Sequence, residues 1–209
     1  MTATIKNIIT GYFPDVWPVI IIITVICCSL RIAYLIKNNQ KFCFYKELFM
    51  LLFILYVVCL FKIVTLQDTN YGLSNWIPFK EIFRYEMGSQ LFIKNIIGNI
   101  LLFLPYGYFA TDYLKSKKVW LICFLTLLVS LTIELVQMNI GRTFDIDDVI
   151  LNTCGGMFGY FLFRLLENLK MKLPKIFKTD GFINFFVILI LIIVIIYLFD
   201  WPVISWLNS

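Results

Sequence analysis

Eight polar side chains interrupt otherwise apolar stretches: Asn95, Asn99, Glu134, Gln137, Arg142, Asp145, Asp148 and Asn152. Their spacing is helical. Asn95 and Asn99 are four apart. Glu134 and Gln137 are three apart, with Ser130 four residues before Glu134. Asp145, Asp148 and Asn152 follow i, i+3, i+7, so each set lines one helix face. Four charges and four amides walled by apolar helices suit a polar head group or a peptide at a membrane surface. Three carboxylates also suit general acid–base work or oxygen ligation of a hard divalent cation. Nothing local marks a nucleophile. The chain has no His, which removes the Ser-His-Asp triad and most transition-metal sites. No cofactor or metal is expected, no catalytic activity is assignable, and a non-enzymatic role is favoured over an enzyme.

Each cluster also has a structural reading. The Asn pair can be packing glue between helices. Glu134 can pair with Arg142 or Lys94. An unpaired carboxylate one turn inside a membrane helix costs about 2.5–3.5 kcal/mol, so a partner is expected. Asp145 can cap a helix, with Asp147 and Asp148 at the positive end of its dipole. Capping accounts for one Asp or two, but not for Asn152 a turn deeper.

The elements that carry these residues follow from composition. Of 209 residues, 61 % are hydrophobic, 18 % aromatic and 15 % charged, and the mean hydropathy is +0.87. Soluble domains hold roughly 45–50 % apolar and about 25 % charged residues. An ordinary soluble enzyme, a disordered tail and a nucleic-acid-binding domain are thereby excluded, and the fold class is all-α polytopic membrane protein. A membrane helix needs roughly 20 mostly apolar residues. Six windows qualify: 16–36, 47–66, 91–108, 119–138, 149–166 and 182–199. Pro105 and Gly107 are expected to bend or end the third. Gly155 and Gly159 form a GxxxG that admits another helix, for folding or for dimerisation, so the oligomeric state stays open. The six Cys lie mostly in apolar runs without a CxxC pair and read as small membrane hydrophobes.

Twelve of the eighteen basic residues fall in or beside the loops after the first, third and fifth windows, against four acids. Positive loops face the cytoplasm. Both termini are therefore expected outside, and all eight polar residues map to the outer leaflet. Because the polar residues trace no path to the other side, a transporter is the weakest alternative. Three segments are expected: 1–66 with two spans, 67–170 with three and the polar site, and 171–209 with a basic loop and the last span.

Four motifs stand in order: N-x-I-P-F from Asn75, K-N-I-I-G-N-I-L-L-F-L-P-Y-G from Lys94, E-L-V-Q from Glu134, and R-T-F-D-I-D-D-V-I-L-N-T-C-G-G-x-x-G from Arg142. In this set the chain resembles the VanZ-like family over about 75–166, and more loosely over the second window. The resemblance implies a multi-pass protein of a Gram-positive bacterial cell membrane. It also implies low-level resistance to teicoplanin, a lipid-bearing glycopeptide, without a change in the D-Ala-D-Ala target. Expected partners are membrane lipid and a glycopeptide antibiotic or lipid-linked cell-wall precursor, with no nucleic acid. The alternative is a membrane-embedded enzyme that modifies such a precursor or a phospholipid head group. No catalytic roles come with the resemblance.

Overall fold

The computed structural model describes residues 2–65 and 74–207, with side chains over 18–62 and 74–194. The described chain is helical, with one isolated parallel bridge, Asn75 to Asp145, and no named strand among the described residues. In chain order the long helices are α1 (Thr2–Lys37), α2 (Phe44–Thr65), α3 (Gln90–Leu114), α4 (Val119–Asn139), α5 (Ile146–Lys172) and α6 (Asp180–Leu207). Lipid offers the backbone no hydrogen bonds, so an apolar span closes its own as a helix.

Among the described residues, five helices are long and apolar enough to cross a membrane: Pro18–Lys37 of α1, Phe44–Lys62 of α2, and α3, α4 and α5. This is a multi-pass membrane protein. In α6 the described apolar stretch is Asp180–Val194. The rest of the sixth expected span, 195–199, lies outside the described side chains, as does the end of the second.

The core is α3, α4 and α5. Helices α3 and α5 run in the same direction and touch along most of their length, with α4 returning beside them. Small residues set the closeness of that contact. A Cβ on Gly107 would lie 1.9 Å from the Gly156 carbonyl oxygen, one on Gly155 2.3 Å from that of Ile100, and one on Gly159 2.1 Å from that of Leu104. Gly156 faces α4, where a Cβ would lie 2.3 Å from Thr126 Oγ1. The GxxxG is thus used within the chain, backbone against backbone. Buried hydroxyls are satisfied by their own helices: Thr111 donates to the Gly107 carbonyl (2.6 Å) and Thr126 to that of Ile122 (2.7 Å).

The expected break at Pro105 does not end α3. The helix runs through it to Leu114, where Lys115 turns left-handed at φ 49°. Proline removes one donor and crowds the preceding turn. Just there the Leu102 carbonyl accepts from the Tyr56 hydroxyl of α2 (2.8 Å), and the packing of α3 against α5 holds the rod together. Outside the core, α1 lies on α2, tied by a two-pronged bond from Arg31 to Glu47 (2.7 and 3.0 Å). The start of α6 is held to α2, where the Tyr45 N–H donates to Asn184 Oδ1 (2.9 Å) and the Tyr45 hydroxyl to Asp180 (3.0 Å).

Candidate functional site

The polar residues gather where α3 and α5 begin and α4 ends. Asp145 caps α5, its carboxylate accepting from the Asp147 N–H (2.9 Å). The same oxygen accepts from the Asn75 side-chain amide (2.9 Å). Asn75 and Asp145 are also joined through backbone. The Asn75 N–H donates to the Phe144 carbonyl (2.8 Å), and the Ile146 N–H donates to the Asn75 carbonyl (3.0 Å). From α4, Glu134 Oε2 accepts from the Asp145 N–H (3.0 Å). From α3, the Asn99 amide donates to Asp148 Oδ1 (2.5 Å). Residues as far as 70 apart in sequence are thus stitched into one cluster.

Glu134 is 2 % exposed, whereas Asp148 stays half-buried at the edge. Glu134 and Asp145 press on Asp148 with like charge, and Arg142 attracts both Asp148 and Glu134. Below the carboxylates the Asn152 amide donates to the Ser130 hydroxyl (2.9 Å), while Asn152 Oδ1 is buried and has no partner among the described residues. Turning the amide over would only exchange which of its atoms is left unsatisfied. Among the described residues, no three His, Cys, Asp or Glu side chains form a cluster able to hold a metal ion. The arrangement gathers three carboxylates, a guanidinium and an amide oxygen with no partner among the described residues. That set suits hydrogen bonding to a polar group at the membrane surface, or proton exchange with it.

Of the eight expected residues, Glu134, Asp145, Asp148, Asn99 and Asn152 meet here, with Arg142 acting on the carboxylates. Gln137 lies on the same α4 face as Glu134 and is buried. Asn95 does not join. It is half-buried on a π-helical turn, Ile93–Ile97, and makes none of the cluster's hydrogen bonds. The wider turn, closed by Gly98 N–H to the Ile93 carbonyl, lies one step ahead of Asn99. Such turns often sit at functional sites, and no residue pattern announces one.

Asp147 is the residue that sequence reasoning placed too lightly. It reads as a dipole-stabilising acid, yet it is 1 % exposed. Its carboxylate accepts the backbone N–H groups of Phe79 (2.5 Å), Glu81 (2.7 Å) and Ile82 (3.2 Å). The I-P-F turn is wrapped around it as a nest of amides, with Phe79 held at φ 68°. This fastens the segment 74–89 beside the cluster, where Trp76 stacks on Phe144 at 4.3 Å. The signal that was present is the N-x-I-P-F motif, which has no purpose as a free loop.

Burial raises Asp145 above the ordinary carboxylate range, opposed by its bonds from Asn75 and the Asp147 N–H. A raised folded value means the folded state takes up a proton more readily than the unfolded chain. Its contribution to stability is complete below the ordinary value of about 3.9 and is lost as pH rises through the folded value. Asp145→Asn keeps a capping oxygen and removes the charge. Its thermal midpoint, relative to the parent, is therefore expected to be more favourable at pH 8 than at pH 4. Parallel melting curves that do not change with pH would refute this.

The VanZ/LLP1 family profile matches residues 47–167, more than half of the chain and all of α3 and α4 with most of α5. The chain belongs to the VanZ/LLP1 family. Protein VanZ of Enterococcus faecium is 35 % identical over 106 residues, which is 50 % of this chain and 63 % of that protein. The chain thus covers less than two thirds of that relative's length. No solved structure matches it. The VanZ/LLP1 match contains the three helices that carry the cluster, and its span leaves α1 and α6 outside.

Proposed function

We propose that this VanZ/LLP1 protein works in a bacterial cell membrane. There its carboxylate cluster faces outward and engages the polar part of an amphiphile, lowering susceptibility to teicoplanin or a related lipoglycopeptide without altering the D-Ala-D-Ala target. The observation that carries the proposal is that residues from all four motif segments, Asn75, Asn99, Glu134, Asp145 and Asp148, meet at one end of the bundle, beside an exposed apolar loop. On that loop Trp76, Phe83 and Met87 are 65 %, 84 % and 92 % exposed. Aromatic residues favour the membrane interface, and a lipid-bearing ligand needs an apolar neighbour for its tail and polar groups for its head.

The test is susceptibility of a sensitive Gram-positive host carrying empty vector, wild type, Glu134→Gln or Asp148→Asn at matched membrane levels. Wild type is expected to raise resistance to teicoplanin but not to vancomycin, and both variants to fall back to the vector level. No rise with wild type, or full resistance with both variants, overturns the proposal.

One observation favours a second reading, a membrane-embedded enzyme acting on a lipid-linked precursor or phospholipid head group. Glu134 and Asp148 share one site with Arg142 and an unsatisfied amide, a setting suited to an acid–base pair. That reading expects lipid or muropeptide mass spectra to differ between wild type and Asp148→Asn. Identical spectra rule it out.

A further inference from the structure

A cavity of about 970 Å³ lies at the other end of the bundle, between α2, α3 and α5. It is far from the carboxylate cluster in the fold, because it is lined by the last turns of α3 and α5 rather than their first. Its wall is aromatic. Phe49 and Phe53 of α2 pack against Phe109 of α3 at 4.3 and 4.7 Å between ring centres. Phe163 of α5 meets Tyr108 at 5.4 Å. Water gains little in such a gap, whereas hydrocarbon fits it. Tyr106 and Tyr108 also line it.

The rim carries three lysines and two acids, Asp112 and Glu167. Lys46 reaches it from α2, Lys115 from just past the end of α3 and Lys170 from α5. The acids nearby are already engaged: Asp112 by Lys115 (2.5 Å), Asp180 by Lys46 (3.2 Å), and Glu167 by Arg164. Lys170 has no acidic partner among the described residues. This end also carries most of the chain's basic residues, among them Lys172 at the end of α5 and Lys175 and Lys178 just beyond it. Basic pockets between membrane helices on the positive side suit anionic head groups.

We infer that this cavity binds one anionic phospholipid, its phosphate at the Lys46–Lys115–Lys170 rim and an acyl chain along the aromatic wall. The shape requires an amphiphile and the rim selects its charge. The inference does not depend on what the carboxylate cluster does.

Native mass spectrometry of the full chain tests it, after detergent delipidation and titration with phosphatidylglycerol or phosphatidylcholine. Phosphatidylglycerol is expected to bind at one equivalent and to outcompete phosphatidylcholine. Lys170→Gln is expected to weaken phosphatidylglycerol binding about fivefold, the weight of one lysine near an anionic head group. Lys170→Arg should keep it, and Lys94→Gln at the opposite end should leave it unchanged. Circular dichroism confirms that each variant is folded. Equal binding of the two lipids, an unaffected Lys170→Gln, or full displacement by glycerol phosphate without a chain would each overturn the inference.

Discussion

Gly107→Ala is expected to dismantle the bundle. The added Cβ would lie 1.9 Å from the Gly156 carbonyl oxygen and 2.6 Å from its carbon. The obstacle is backbone, so no rotamer change relieves it, and α3 and α5 must move apart. Overpacking of a core costs about 1–3 kcal/mol where side chains can adjust, and here they cannot. The separation also breaks the contacts at Gly155 and Gly159, and it pulls Asn99 away from Asp148. Size-exclusion of detergent extracts and thermal unfolding should show Gly107→Ala mostly aggregated or melting well below the parent. Gly98→Ala is the control, since its Cβ would meet only the Ile93 carbonyl oxygen at 3.7 Å. It should be neutral, or more stable by up to about 1 kcal/mol through the helix preference of Ala. Equal stability of the two variants would show that the close crossing is not what holds the core.

Asp147→Ala should release the loop while sparing the helices. Three backbone donors, from Phe79, Glu81 and Ile82, lose their common acceptor. A hydrogen bond to a charged acceptor contributes about 1.5–3 kcal/mol. Phe79 would then have no reason to stay at φ 68°, a conformation costing about 1–2 kcal/mol for a residue with a Cβ. Both effects favour departure of the segment from the site. Asp147→Asn repairs little, because one oxygen must serve three donors and its NH₂ group, itself a donor, cannot accept from any of them. Hydrogen exchange should show amides 79–82 turning over much faster in both variants, with those of α3 and α5 unchanged. Where the resistance proposed above is observed and the cluster needs its loop, that resistance falls in both variants at unchanged membrane levels. Unaltered exchange at 79–82 would mean that the Asn75–Asp145 bridge alone holds the segment.

The two variants act on different levels of the same design. Gly107 sets how near the two site-bearing helices stand. Asp147 sets what covers the place where they start. A loss of resistance in Asp148→Asn with both of these features intact would therefore report on the carboxylate itself rather than on folding.

Much of the fold was legible in the residues. The fourth span was expected at 119–138 and is Val119–Asn139. The capping role of Asp145 followed from its place before an apolar run, and its side chain does cap α5. These features are local. In a bilayer each backbone group must bond within its own helix, so apolar length alone decides where a span lies. Polar residues inside such spans are costly enough to stand out, which is why Glu134, Asp148 and Asn152 could be named in advance.

What the tertiary structure alone decided is which of these groups meet. A spacing of four placed Asn95 beside Asn99, but the π turn and the approach of α5 bring only Asn99 to Asp148. Asp147 looked like one more acid at a helix start until a turn 65 to 68 residues away closed around it. The proline that marks a helix end in isolation lies inside a continuous helix, because α2 and α5 brace it from outside. Helix position follows from the free energy of short apolar segments in lipid and is written residue by residue. The partners of a carboxylate, or of a glycine face, depend on backbones brought within van der Waals contact across the bundle, and no stretch of chain contains that information by itself.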